Sequence, residues 1–105
     1  MPRERHERIL RLDVEYDGTD YCGFQIQPNG PTIQGALEAA LLRLTGVPIR
    51  VHGAGRTDAG VHALGQVVSF RTDYPMPDER FAEVLNRLLP ESIAVWQSGR
   101  ADEGF

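Results

Sequence analysis

Hydrophobic and polar positions alternate near the start of the chain. Leucine, valine and tyrosine occupy every second position from Leu10 to Tyr16, and charged residues occupy the positions between them. Because successive side chains of a β-strand point to opposite faces, this pattern predicts a strand over 9–16 with one buried face. Asp17 and Gly18 follow and indicate a turn.

Two later segments have the spacing of amphipathic helices. The first follows Thr32, a good N-cap, and precedes Gly46, a residue type that often ends a helix. The second begins near Asp78 and Glu79, whose charges suit a helix N-terminus, and ends before Pro90. Each segment has one apolar stripe, so each is expected to pack on one side only.

Three further segments have the short apolar runs that are typical of strands. They cover 49–52, 66–71 and 93–97, and we expect Trp96 in the last of them to pack against the core. The stretches 1–7 and 99–105 are mostly polar. They are predicted to form a disordered tail and an irregular end, respectively.

The predicted order is therefore strand, helix, strand, strand, helix, strand. Two crossovers around a central hairpin define the ferredoxin-like split βαβ, an α+β fold. Because each helix has a single apolar stripe, both are expected on one face of a four-stranded antiparallel sheet, in a single domain spanning 1–105. Side chains expected to face the helices are Leu10, Leu12, Val14, Ile49 and Val51, and those expected on the open face are Arg11, Asp13, Glu15, Arg50 and His52.

Composition narrows the choice of function only a little. The formal net charge of −4 gives no general attraction for nucleic acid. All 11 basic residues are arginine, whose planar fork suits phosphates and base edges, although genomic base composition alone also explains this usage. The single cysteine favours a reducing compartment, and no apolar run is long enough to span a bilayer. A cytoplasmic protein with no membrane partner is expected.

A glycine-rich stretch from His52 to Gly65 separates the second and third predicted strands. A hairpin needs about two to five connecting residues, so this longer loop indicates a functional role. It lacks the third glycine and the following helix of a dinucleotide fingerprint, and Val61 and His62 replace the Lys and Ser or Thr of a P-loop. His52, Asp58 and His62 match no recognised ligand spacing, so no metal site is expected.

Arg56 and Asp58 are the candidate chemical groups of this loop. Residues two apart in extended backbone point the same way, so the Arg56 guanidinium can lie beside the Asp58 carboxylate, keep it ionised and orient it. Such a carboxylate acts as a nucleophile on, or a stabiliser of, an electron-poor sugar or base carbon. A salt bridge that only ties down the loop fits the same spacing.

The connection 18–31 holds a second set of candidates, Tyr21, Phe24, Gln25 and Gln27. Aromatic rings can stack on bases, and amides can read base edges. A loop folded over the core with its aromatic side chains tucked in is an equally well supported alternative.

Residues 55–62, with the sequence GRTDAGVH, resemble the catalytic signature of the TruA family of tRNA pseudouridine synthases. Four other segments resemble the same family: 16–27 its opening segment, 32–38 the start of its first helix, 65–70 its next strand and 86–90 the end of its second helix. The resemblance covers nearly the whole chain from Leu10 onward.

The resemblance implies an isomerase that converts uridine to pseudouridine at positions 38–40 of tRNA, in the anticodon stem-loop, with no cofactor or metal. In this family Asp58 would be the catalytic aspartate, needed to break the N-glycosidic bond before C5 of uracil bonds to the sugar. Arg56 would pair with it and assist the exit of the target base from the helix stack. tRNA is the implied partner, and the full-length form is expected to be a homodimer. The implied RNA-contacting residues are Gly55, Thr57, His62, Phe24, Gln25 and Gln27.

Members of this family are about twice as long, and their second half closes the active cleft. The chain is therefore expected to be the N-terminal half of a two-domain enzyme, without turnover of its own. Two alternatives are a stand-alone RNA-binding module and a non-catalytic fragment that dimerises. RRM domains stack bases on aromatic residues of the third strand. This chain has only Phe70 there, which disfavours the first alternative.

Overall fold

In the part of the chain that the structure describes, four strands and two helices follow one another in the predicted order. The computed structural model describes residues 7–17, 32–53 and 63–101. The strands form one antiparallel sheet in the order β2-β3-β1-β4. The predicted ferredoxin-like α+β fold is confirmed. The elements are β1 (Arg8–Tyr16), α1 (Ile33–Thr45), β2 (Val51–Gly53), β3 (Ala63–Thr72), α2 (Arg80–Leu88) and β4 (Ile93–Arg100).

Both ends of α1 form as the sequence predicts. The Thr32 hydroxyl accepts a hydrogen bond from the backbone N–H of Gly35 at 3.1 Å, which satisfies one of the free donors at the helix start. At the other end Gly46 has φ of 82°, and its N–H donates to the Leu42 carbonyl at 2.8 Å. This left-handed conformation favours glycine, because a side chain would strain it.

α2 begins at Arg80 and ends at Leu88, before Pro90. The Asp78 carboxylate, however, does not cap the helix. It accepts hydrogen bonds from Arg8 Nε at 2.7 Å and from Arg100 Nε at 3.1 Å. Through these two contacts, Asp78 connects the start of β1 and the end of β4 to the segment that leads into α2.

The core lies between the helices and one face of the sheet. The side chains expected to face the helices are all buried there, although Ile49 lies two residues before the start of β2. The rings of Phe70 on β3 and Phe81 on α2 lie 5.7 Å apart between centroids, so they join the sheet to the second helix. The fully buried large side chains are Phe70, Phe81, Leu10, Leu12, Ile33, Leu37, Leu41, Leu85, Val14, Val51 and Val68.

Trp96 is 61% exposed, so the prediction that it packs against the core is wrong. β1 and β4 change register here: Asp13 pairs with Gln97, and Val14 pairs with Val95. Trp96 is the extra residue of this β-bulge and has no partner on β1. The bulge breaks the strict alternation that the sequence interpretation assumed.

The last strand is longer than predicted. β4 continues to Arg100, which pairs with Leu10 of β1, so the expected irregular structure from residue 99 is wrong as far as residue 100. The backbone of β4 pairs with β1 whatever the polarity of its side chains. Because an antiparallel sheet can have one face in solvent, polar residues are also accommodated in β4. Residues 1–6 and 102–105 lie outside the described part, and the disordered tail stays a prediction. In the described ranges, no helix is long and apolar enough to cross a membrane.

Candidate active site

The two segments that carry the predicted site residues join the sheet at neighbouring positions. Tyr16, the last residue of β1, pairs with Ala63 of β3 and with Ile93 of β4. Residues 18–31 follow β1 after Asp17, and residues 54–62 lead into Ala63. The topology therefore attaches both segments at the same end of the central strands.

β2 is much shorter than β3. This difference in length determines the point on the sheet at which the chain leaves β2 and enters residues 54–62. Gly53, the last residue of β2, pairs with Val68, whereas β3 begins further back, at Ala63. Before Val68, the paired residues of β3 are Ala63, Gln66 and Val67, and they pair with β1 and not with β2. The glycine-rich connection therefore starts from the middle of β3 and not from a tight turn at its end.

A side chain of α1 holds β2 in place. The Glu38 carboxylate accepts a hydrogen bond from the backbone N–H of Val51 at 2.9 Å. The same oxygen, Oε2, accepts one from Gln34 Nε2, also at 2.9 Å. Gln34 and Glu38 lie one helical turn apart, so they meet on one side of α1. This contact fixes the strand two residues before Gly53. Sequence reasoning missed it; the only available signal was the four-residue spacing of the two polar side chains.

The open face of the sheet has charged and polar side chains. The Arg11 guanidinium contacts the Asp13 carboxylate at 3.1 Å along β1. Arg50 and His52 are exposed, as predicted, on the side away from the helices, and Ser69 of β3 pairs with His52. Sequence reasoning gave these residues a face but no role.

Phe70 is not available to stack on a base. Its side chain is 1% exposed and faces the helices. It is the single aromatic residue of β3, so that strand offers no aromatic ring on the open face of the sheet. An RRM-type mode of RNA binding, which relies on such rings, is therefore disfavoured here as it was on sequence.

The predicted site residues themselves lie outside the described residues, so the structure tests neither the Arg56–Asp58 pair nor the RNA contacts. The residues concerned are Arg56, Asp58, Gly55, Thr57, His62, Phe24, Gln25 and Gln27. Across the described ranges, no group of three or more His, Cys, Asp or Glu side chains is placed to hold a metal ion.

Comparison with known proteins decides the family. A family model described as tRNA pseudouridine synthase matches residues 13–100, which include both segments with predicted site residues. The chain belongs to the tRNA pseudouridine synthase family. The resemblance of residues 55–62 to the signature of that family agrees with this assignment.

Relatives in the tRNA pseudouridine synthase family are similar over most of the chain. A protein of Exiguobacterium sp. named tRNA pseudouridine synthase A is 50% identical over 98 residues, which cover 93% of this chain and 40% of the relative. Relatives with the same name from Geobacter sp. and Brevibacillus brevis are 58% and 51% identical, over 84% and 91% of this chain and 36% and 39% of their own lengths. The chain thus spans about two fifths of the length of the curated relatives it matches.

Proposed function

We propose that this chain supplies the catalytic aspartate, Asp58, of a tRNA pseudouridine synthase that acts on uridines of the anticodon stem-loop. The family match over residues 13–100 is the observation that carries the proposal, because it includes residues 54–62 together with β2 and β3 on either side. The names of the relatives support tRNA as the substrate.

The proposed reaction is an isomerisation. The bond from N1 of uracil to C1′ of the sugar breaks, the base turns, and C5 bonds to C1′. The C5 proton leaves and N1 gains one, so atoms balance with no oxidant or reductant. The Asp58 carboxylate acts at the electron-poor carbon of the sugar or base, and Arg56 keeps it ionised and oriented.

Further parts of the proposal concern the whole enzyme. We propose that groups outside the matched two fifths of the relatives complete the cleft, that the whole enzyme is a homodimer, and that it works in the cytoplasm.

A chimera tests the function directly. This chain would replace the matching region of the Exiguobacterium relative, and release of tritium from C5-labelled uridine in tRNA would be measured. We expect release by the chimera, no release after Asp58→Asn, and tRNA binding by both. Asp58→Asn changes the carboxylate to an amide of almost the same size, so the variant should fold normally, and circular dichroism provides the check. Undiminished release by the Asp58→Asn chimera would contradict the assignment of Asp58.

The second candidate is a non-catalytic fragment that binds RNA or dimerises. It predicts a chimera that binds tRNA, or forms dimers, and releases no tritium even with Asp58 intact.

A further inference from the structure

Exposed cationic side chains cluster beside β2 and β3. Arg50, His52 and Arg71 are exposed near Ser69, and these four residues are called the basic surface below. On β1, Arg11 pairs with Ser69 and contacts the Asp13 carboxylate. The net charge of −4 therefore conceals a local positive region next to the strand that leads into residues 54–62.

A cavity lies at this basic surface. β2 begins only at Val51, whereas β3 continues to Thr72, so residues 48–50 do not pair with the end of β3. The gap between them has a volume of about 470 Å³. Its lining includes both arginines, and its residues are Ile9, Pro48, Ile49, Arg50, His52, Ser69, Phe70 and Arg71.

The polar groups of the basic surface are available to a ligand. Over the ranges that the structure describes, Arg50 and His52 form no ion pair or side-chain hydrogen bond. Arg71 is 60% exposed and contacts Glu7, which is 62% exposed, at 3.3 Å. Exposed pairs of this kind contribute about 0–1 kcal/mol, so a phosphate can replace Glu7 at little cost.

We propose that the basic surface binds phosphate groups of the tRNA backbone. This inference rests on the proposed function. Arginine forks match phosphate oxygens in a two-point geometry, and His52 and Ser69 add hydrogen-bond donors between them. His52 directly precedes Gly53, the last residue of β2, whereas Ser69 and Arg71 lie six and eight residues after Ala63, so the basic surface is nearer the Thr72 end of β3 than the end that residues 54–62 lead into.

The test is the salt dependence of tRNA binding by the 105-residue chain. The variant R50Q/R71Q removes two exposed arginines from the basic surface. The matched control, R43Q/R87Q, removes two exposed arginines from the helices and changes the net charge equally. Fluorescence anisotropy with a labelled tRNA would give Kd at several salt concentrations, and circular dichroism would confirm that each variant is folded.

We expect R50Q/R71Q to weaken tRNA binding about tenfold or more. The slope of the logarithm of the binding constant against the logarithm of the salt concentration should become shallower by about 1.5, because each lost phosphate contact removes about 0.7–0.9 from that slope. The control should bind like the unmodified chain. Equal effects in both variants, no effect in R50Q/R71Q, or no salt-dependent binding by the unmodified chain would each overturn the proposal. Selective weakening together with an inactive chimera would support the basic surface while contradicting the proposed catalytic function.

Discussion

Asn86 of α2 and Val95 of β4 form a two-point hydrogen-bonded pair. Asn86 Nδ2 donates to the carbonyl of Val95 at 2.9 Å, and the N–H of Val95 donates to Asn86 Oδ1 at 2.8 Å. β4 is an edge strand, and unpaired edge groups are open to pairing with another chain. The side-chain amide has the donor and the acceptor of a peptide group, so Asn86 pairs the backbone groups of Val95 as a neighbouring strand would.

Replacing Asn86 should therefore destabilise the fold. We expect Asn86→Ala to lower the free energy of unfolding by about 2 kcal/mol, because two partly buried backbone groups lose their partners. Urea denaturation would measure this. The control is the next residue, Arg87, whose exposed i,i+4 pair with Glu83 at 3.1 Å should contribute about 0.5 kcal/mol or less. Equal, small losses in both variants would show that the Asn86 bonds do not stabilise the fold.

Asp78 should be more important for stability than any exposed acid. Its side chain is 16% exposed and joins Arg8, which is 10% exposed and also donates to the carbonyls of Tyr74 and Met76. Removing the carboxylate takes a close ion-pair contact away from a nearly buried guanidinium. We expect Asp78→Ala to cost about 3 kcal/mol in urea denaturation.

The matched control for Asp78 is Arg100, the other partner of the same carboxylate. Its side chain is 61% exposed, so Arg100→Ala should cost about 1 kcal/mol or less. If the Arg100 variant lost as much stability as the Asp78 variant, the dominant role given to the Arg8 contact would be wrong.

Two large aromatic residues should respond very differently to truncation. Phe81 is fully buried and contacts the rings of Phe70 and Tyr74. Phe81→Ala should cost about 3–5 kcal/mol, whereas Trp96→Ala, at a 61% exposed site, should cost about 1 kcal/mol or less. Thermal unfolding of both variants would check this. A loss at Trp96 as large as at Phe81 would mean that the indole is buried in solution.

The sequence predicts the fold because each local signal agrees with the global arrangement. Alternation over β1 and the Thr32 and Gly46 caps match the structure. The burial of residues 49–52 alternates as predicted, but the second strand is Val51–Gly53 and not 49–52. The exposure of Trp96 is not predicted, because it results from a bulge. A bulge depends on the register of two strands, and the sequence of one strand does not determine that register. The sequence interpretation ends β4 too early, because backbone pairing with β1 does not depend on the polarity of the side chains.

The candidate site is predicted to a smaller extent by physical reasoning alone. The spacing of Arg56 and Asp58 fits a structural salt bridge and a catalytic pair equally well. Only the match to the family indicates that the chain belongs to a synthase. The contact from Glu38 to Val51 joins residues of a helix and a strand. Because such contacts depend on packing between elements, the order of residues along one element does not reveal them.

Glu38 links this packing to the proposed chemistry. It holds the N–H of Val51 two residues before the chain enters residues 54–62, so its loss should let that entry point move. In the chimera, we expect Glu38→Ala to lower kcat about tenfold or more, since small displacements of reacting groups are costly, while tRNA affinity stays unchanged. Glu38→Gln should restore most of kcat, because the amide oxygen can still accept the hydrogen bond from the N–H of Val51.

Arg43→Ala, on the exposed side of the same helix, is the control. An Ala variant with normal kcat, or a Gln variant as slow as Ala, would contradict a positioning role.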